Sequence, residues 1–309
     1  MKNKKIVIAG GTGFIGRALA AWLGKENEVI ILSRQPQPGA GGTSIRYRVW
    51  DGLRIEKEWA SVIDGCDMVI NLAGKSVNCR YTAKNRKEIL DSRIDSTRAI
   101  GLAVRDAVRP PKVWINAASA TIYRHATDRP QDEYTGEIQD DFSVRVCKAW
   151  EKAFQEQRAP FTRKIALRTA ITLGEGGVMV PYLNLVRAGL GGRQGTGRQQ
   201  YSWVHIDDLC RAVEWIYDHP EMEGVYNMTA PGPVTNRVFM QTLRKVTGIC
   251  IGVPVVTWML KVGAVLIETE TELVLKSRWV LPARLLESGF TFRYPTLEEA
   301  LKAIIVRKR

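Results

Sequence analysis

The chain has 309 residues, 45% hydrophobic and 25% charged, with a formal net charge of +13. That balance allows a substantial core in one large domain or two ordinary ones and excludes a disordered chain. Its Lys and Arg residues are spread along the sequence, with short clusters only at the two ends and no aromatic-interleaved RNA motif or recognition helix, so the charge reads as a solvated basic surface with no nucleic-acid partner.

The first element is the β-branched run Ile6–Ala9, too short for a signal-peptide core, which feeds a turn with glycines at 10, 13 and 16. A helix follows, with Ile15, Leu19 and Leu23 spaced by four. This strand–turn–helix context is what a dinucleotide-binding loop requires. Gly10 permits the tight turn, Gly13 lets backbone approach a pyrophosphate, and Gly16 lets helix and strand pack closely. Thr12, Phe14 and Ile15 complete the loop. Val29–Leu32 reads as a second strand, Ile45–Val49 as a third, and Asp67–Asn71 as a fourth. A long helix spans Lys84–Ala107, its apolar stripe read as Leu90, Ile94, Thr97, Gly101 and Val104. Pro110-Pro111 stops it, Val113–Ala117 is the next strand, Asp140–Gln157 is helical, and Arg163–Arg168 is strand-like. Strands alternating with helices at this spacing indicate a parallel sheet covered on both faces.

Beyond residue 170 the alternation fades. Gly174–Gly177 and Gly189–Gly197 flank one short helix, Asp207 is a candidate N-cap for a helix through Ala212 and Ile216, and Val225–Met228 is a strand. Thr235–Thr247 and Val255–Ile267 read as helices. The apolar stretch Ile251–Ile267 is short and interrupted by Pro254 and Lys261, so a buried helix is expected rather than a membrane anchor. The fold class is therefore α/β, a Rossmann-type doubly wound parallel sheet over residues 1–170, with a smaller C-terminal α+β substrate lobe over 171–309 from which 206–228 returns to the first domain.

The second strand ends in Leu32-Ser33-Arg34-Gln35-Pro36, without the acid that binds the ribose hydroxyls of NAD. Arg34 can stack on an adenine and pair with a 2′-phosphate, with Ser33 donating to it, so NADP(H) is favoured over NAD(H). Asp51 after the third strand either reaches the adenine edge or closes an Asp-Gly turn. The five cysteines, odd in number and scattered, show no metal-ligand or redox-pair spacing, which points to a reducing cytoplasm and no metal.

Gly10-x-x-Gly13-x-x-Gly16, Asn71-Leu72-Ala73-Gly74, Ser119-Ala120-Thr121-Ile122-Tyr123 and Trp203-Val204-His205-Ile206-Asp207-Asp208 together resemble the extended short-chain dehydrogenase/reductases. Ser92-Arg93, Cys147-Lys148-Ala149-Trp150-Glu151 and the C-terminal run from Gly289 to Leu301 resemble more narrowly the atypical "epimerase family" proteins of that superfamily. The resemblance covers nearly the whole chain. It implies NADP binding, with Leu72, Ala73 and Gly74 among the cofactor contacts and Ser119 polarising a substrate oxygen. The superfamily also uses a Tyr-x-x-x-Lys pair on the helix after Ser119, and here the chain departs from it. One alignment puts Val144 four residues before Lys148; the other puts Ser143 and Cys147 at the two positions. Neither supplies a tyrosine. Arg93 stands where the superfamily has a relay Asn, either binding a substrate anion or cofactor phosphate or forming a surface ion pair. Tyr123, His125 and Tyr134 are the nearby candidates for the missing acid, with Tyr123 also suited to packing at the loop base. His205 suits a turn-orienting role, and Arg168 either meets substrate or pairs with an acid.

The expectation is an NADP(H)-binding oxidoreductase or epimerase-like enzyme acting on a small carbonyl or sugar-type substrate, with Ser119, Arg93 and Tyr123 as catalytic candidates. The alternative is a non-catalytic NADP(H) sensor or scaffold. Small-molecule rather than membrane or nucleic-acid partners are expected, in a monomer or homodimer.

Overall fold

The computed structural model describes residues 1–35, 44–256, 258, 270 and 272–306. In chain order the larger half runs β1 (Lys5–Ala9), α1 (Phe14–Leu23), β2 (Glu28–Ser33), β3 (Ile45–Val49), α2 (Lys57–Ala60), β4 (Met68–Asn71), α3 (Ala83–Asp106), β5 (Val113–Ser119), α4 (Phe142–Gln155) and β6 (Arg163–Thr169). It continues through β7 (Ile171–Leu173), α5 (Met179–Arg187), β8 (Gln200–Tyr201), β9 (Trp203–His205), α6 (Ile206–Asp218), β10 (Gly224–Met228), β11 (Val234–Thr235) and α7 (Asn236–Thr247). Three helices follow, α8 (Glu272–Leu275), α9 (Ala283–Glu287) and α10 (Leu297–Val306).

Seven parallel strands form the central sheet in the order β3-β2-β1-β4-β5-β6-β10. Strand β1 explains why both faces are covered. Ile6 and Ile8 point into a core shared with Leu19 and Leu23 of α1 and Val213 and Ile216 of α6. Val7 and Ala9 point into the opposite core, with Ile100 and Val104 of α3 and Phe154 of α4. Period-2 alternation of apolar residues on both faces is what a parallel sheet between two helix layers demands. The chain order reverses between β1 and β4, which opens the ligand crevice of this architecture at their carboxyl ends.

The buried stripe of α3 is rotated from the sequence reading. Thr97, Gly101 and Val104 are buried as expected, but Ile89, Ser96, Ile100 and Ala103 complete the face, whereas Leu90 and Ile94 are half-buried. Asp141 caps α4 by accepting from the Val144 amide at 2.8 Å. Asp207 is not the cap of α6; His205 is, its Nδ1 accepting from the Asp207 amide at 3.0 Å.

The C-terminal lobe has its own core, in which Tyr182, Tyr201, Phe239, Leu243, Leu297 and Leu301 meet. Two small ladders support it: β7 pairs parallel with β9, and β11 antiparallel with β8. Strands this short carry little periodicity, so the sequence did not register them. Strand β10 pairs with β6 and returns to the central sheet. The helix expected at Val255–Ile267 falls largely outside the described residues. Among the described residues no helix is long and apolar enough to cross a membrane. Nor does any cluster of His, Cys, Asp and Glu suit a metal.

Candidate active site

The glycine loop joins β1 to α1 at the crevice. Gly10 has φ +75°, and a Cβ there would lie 2.9 Å from the backbone of Leu72 and Ala73. The Leu72-Ala73-Gly74 turn after β4 therefore packs directly on the loop. A Cβ at Gly16 would sit 2.5 Å from the Gly10 carbonyl oxygen, which is why helix and loop approach so closely. Gly13 differs: its Cβ would meet nothing nearer than the Gly10 oxygen at 3.4 Å. The side of the loop it faces is open. Gly13 is also the N-cap of α1, with no side-chain cap and no acid in the first turn. The uncapped amides of that turn form an anion site backed by the helix dipole, and they fit a dinucleotide pyrophosphate.

Around this loop the other expected contacts fall as follows. Thr12 is exposed, and its carbonyl accepts from Arg17 Nη1 at 2.8 Å. The Phe14 ring lies against Gly174, Gly176 and Gly177, where any side chain would intrude, and so ties the loop to the lobe. Ile15 packs half-buried on the core. Ser33 is buried at the end of β2, and its Oγ accepts weakly from the Gln35 amide at 3.4 Å. Arg34 beside it is exposed and, among the described residues, makes no ion pair. Asp51 closes its turn, accepting from the amides of Leu53 and Arg54 at 2.7 and 2.8 Å, bonds that hold its carboxyl below the usual range. Asn71, fully buried, orients the next turn: Oδ1 accepts from the Ala73 amide at 3.1 Å while Nδ2 donates to Asn116 at 2.8 Å.

Beyond these turns, at the carboxyl end of β5, lies a pocket of about 120 Å³. Ser119, Thr121, Tyr81, Ser143, Cys147, Arg93 and Arg278 give it its polar groups, and Val77, Ile89, Phe142, Val146 and Trp150 its apolar wall. Ser119 caps the short turn after β5, its Oγ accepting from the Thr121 amide at 3.2 Å. That leaves its O–H free to donate into the pocket.

Helix α4 lies in the second of its two alignments. Ser143 and Cys147 line the pocket, whereas Val144 is buried in the protein and Lys148 is exposed. The Cys147 thiol is pushed up to about 12 by burial, with Glu151 adding to the shift, so it stays neutral and supplies no cation. The phenol missing from α4 arrives from another element. Tyr81, just before the Thr82 N-cap of α3, hydrogen-bonds Ser143 and packs edge-on against Phe142 with centroids 5.1 Å apart. Its backbone amide donates to Glu270 at 2.8 Å, and its carbonyl accepts from Arg86 Nε at 2.8 Å. Burial and then Glu272 raise its hydroxyl to about 12, against an opposing pull from Ser143 and Arg278. No sequence pattern marks Tyr81, because an isolated loop tyrosine carries no periodicity.

Arg93 reaches the pocket from α3, its guanidinium 5.1 Å from the centroid of the Trp150 ring. Its Nη1 donates to the carbonyls of Lys75 at 3.0 Å and Ile89 at 2.8 Å, and a Cβ on Gly74 would lie 3.3 Å from its Cζ. Among the described residues the surface ion pair considered from sequence is not formed; burial lowers this cation's pKa. Arg278, which the sequence reading missed, also lines the pocket, with Nε donating to Thr121 Oγ1 at 3.1 Å.

The other candidates lie outside the pocket. Tyr123 is buried, donates to Asn227 Oδ1 at 3.0 Å and accepts from Arg168 Nη1 at 2.8 Å. Arg168 itself makes a buried two-point pair with Glu151, both contacts at 2.8 Å. His125 Nδ1 accepts from the Ser277 amide at 3.0 Å, Tyr134 is exposed and bonds Glu287, and the His205 ring packs on Tyr294. None of these side chains is among those lining the pocket, whose phenol is that of Tyr81.

Residues 6–229 match the NAD dependent epimerase/dehydratase family, and residues 255–304 match a domain of unknown function, DUF1731. The chain is 32% identical to the human epimerase family protein SDR39U1 over 97% of its own length and 99% of that protein. It is likewise 32% identical to the epimerase family protein YfhF of Bacillus subtilis, with 98% and 99% coverage. A crystal structure of the human SDR39U1 protein with NADPH superposes with a TM-score of 0.86 at 31% identity, covering 97% of this chain and 98% of that one. A nucleoside-diphosphate sugar epimerase from Corynebacterium glutamicum superposes with a TM-score of 0.76 at 27% identity, covering 98% of this chain and 58% of that one.

Proposed function

Since the chain belongs to the NAD dependent epimerase/dehydratase family, we propose that it is an NADP(H)-dependent oxidoreductase acting on a small carbonyl compound, with Ser119 and Tyr81 as its hydrogen-bond and proton donors. The observation that carries this reading is the shared pocket: a serine hydroxyl, a phenol and two guanidiniums converge at the sheet's carboxyl end. Support for the cofactor comes from the open, uncapped loop at Gly13, from Arg34, which makes no ion pair among the described residues, and from the NADPH bound to the human relative.

Bound at this loop, the nicotinamide supplies or accepts the hydride. The Ser119 O–H donates to the substrate carbonyl and polarises it. The Tyr81 phenol, protonated at neutral pH because burial holds it near 12, gives its proton to the developing alkoxide. The Ser143 hydrogen bond and the Arg278 charge then favour the phenolate that remains. Phe142 and Trp150 give this exchange an apolar wall.

A non-catalytic NADP(H) sensor is the second reading, favoured by the neutral Cys147 at the position of the superfamily lysine. Two measurements decide between them. Fluorescence titration should give tighter binding of NADPH than NADH, with Arg34→Asp weakening NADPH by about 30-fold or more. NADPH consumption against a carbonyl panel should show turnover that Ser119→Ala reduces about 100-fold. Equal affinity for both cofactors removes the 2′-phosphate assignment. Tight NADPH binding without turnover across the panel leaves the sensor.

A further inference from the structure

Arg93 and Arg278 form a feature that the proposed reduction of a carbonyl does not by itself require. Arg278 is 8% exposed and Arg93 is half-buried, and both line the same pocket. Neither has a carboxylate within ion-pair distance among the described residues. Burial disfavours the charge of both.

Neighbouring buried cations are treated differently. Arg168 is neutralised by Glu151 at 2.8 Å, and Lys276 by Asp141 at 2.5 Å. Glu272, the acid whose field reaches Arg278, stands 3.8 Å from Lys276 instead. Among the described residues neither pocket arginine is therefore in contact with a carboxylate, and Glu272 acts on Arg278 only at longer range.

The donors that remain also point to a ligand. Arg93 uses only Nη1 on backbone carbonyls, leaving Nε and Nη2 without a partner among the described residues. Arg278 donates through Nε to Thr121 and through Nη1, at 3.5 Å, to the Lys276 carbonyl, leaving Nη2. Among the described residues neither arginine has a side-chain nitrogen that is both sealed and unbonded, and both residues line the pocket. Guanidinium forks with spare donors, set in a low-dielectric wall, match the two oxygens of a carboxylate. The cavity of about 120 Å³ is small, which suits a short acid.

We propose that the pocket takes a short-chain oxo acid, whose carboxylate is shared by Arg93 and Arg278 while its ketone lies at Ser119 and Tyr81. This rests on the oxidoreductase reading above. The balanced step is the reduction of that ketone. The C=O π bond breaks, its carbon gains a hydride from NADPH and its oxygen gains the Tyr81 proton. The products are a hydroxy acid, NADP⁺ and a phenolate that is reprotonated from solvent. The apolar wall of Val77, Ile89 and Phe142 receives the carbon skeleton.

The test pairs binding with turnover, using 2-oxobutanoate, 3-oxobutanoate, their methyl esters and inorganic phosphate as probes. Calorimetric titration of the NADP⁺-bound protein should show an oxo acid binding about 100-fold more tightly than its ester, with Arg278→Gln abolishing that preference. Arg278→Lys, which keeps the charge and lets the fold be checked, should recover part of the affinity. In NADPH assays, Arg278→Gln should raise KM for the acid about 100-fold and KM for the ester by no more than about threefold, while kcat falls alike for both because the Arg278 charge also acts on the Tyr81 phenol. Acid and ester binding alike, or acid binding unchanged in Arg278→Gln, overturns the anion site even if ketones are reduced. Phosphate binding more tightly than both acids overturns the carboxylate assignment. Arg278-dependent binding of an oxo acid without turnover upholds the anion site and removes the oxidoreductase reading instead.

Discussion

Gly13 and Gly10 show how much the space around one residue decides. Both belong to one motif in sequence, yet a side chain at Gly10 meets backbone at 2.9 Å and a positive φ, while one at Gly13 meets only open space to 3.4 Å. Gly13→Val is therefore expected to fold with an unchanged urea midpoint and to lose NADPH binding, because its methyl groups occupy the pyrophosphate's place. Normal NADPH affinity in the folded variant would remove the loop from the cofactor site. Tyr81 is the other residue whose surroundings set its role. Tyr81→Phe is expected to lower kcat by about 100-fold or more with NADPH affinity unchanged. Its raised pKa fixes the sign of the pH dependence. The phenol is the acid in reduction and is protonated well below 12, so reduction should be flat from about pH 6 to 9 with respect to this group. Oxidation of the alcohol needs the phenolate, so its rate should rise about tenfold per pH unit over the same range. A reduction rate that falls with an apparent pKa near 7 would assign the proton to another group.

At the scale of elements, α4 is the informative case. Its sequence fits the superfamily pattern in two alignments one residue apart, and on a helix that shift turns the side chains by about 100°. Packing selected between them: Val144, Trp150 and Phe154 are buried, which turns Ser143 and Cys147 to the pocket and Lys148 to solvent. Lys148→Ala should accordingly leave NADPH affinity and turnover within about twofold of wild type, as expected of an exposed position. A large loss of activity in this variant would return Lys148 to the site. Helix α3 carries the same lesson. Its length and end were legible from the apolar spacing and Pro110-Pro111, but its stripe was rotated, because the small Ala103 joins the sheet-facing apolar core and the polar Ser96 is buried against the turn after β4, donating to the Ala73 carbonyl.

For the whole molecule, the C-terminal segment is fastened to the sheet domain by a buried acid. Asp208 at the start of α6 is fully buried and accepts from the amides of Arg293 at 2.7 Å and Tyr294 at 2.9 Å, and from Arg211 at 2.9 Å. Asp208→Ala leaves these buried donors without an acceptor and should cost about 2–3 kcal/mol in urea denaturation. A loss below about 0.5 kcal/mol would show that water replaces the carboxylate. The same long-range ties bring the site together. Arg278 lies far along the chain from Ser119, and Tyr81 is held in place partly by Glu270.

The sequence by itself determined the central sheet, the glycine loop and the position of Ser119. Each is written in local pattern: alternating apolar residues, glycines at fixed offsets, and a strand that ends where the chain must turn. The lack of an acid after β2 was likewise legible, since it concerns a single strand end. Only the tertiary structure decided the α4 alignment, the exclusion of Tyr123 from the pocket, and the entry of Tyr81 and Arg278 into it. Tyr123 lies four residues after Ser119 in sequence, yet its hydroxyl donates to Asn227 and accepts from Arg168, which is itself paired with Glu151. Tyr81 and Arg278 come from segments with no periodicity. What places them is the closure of the C-terminal segment over the sheet, a long-range packing outcome that no short window of sequence contains.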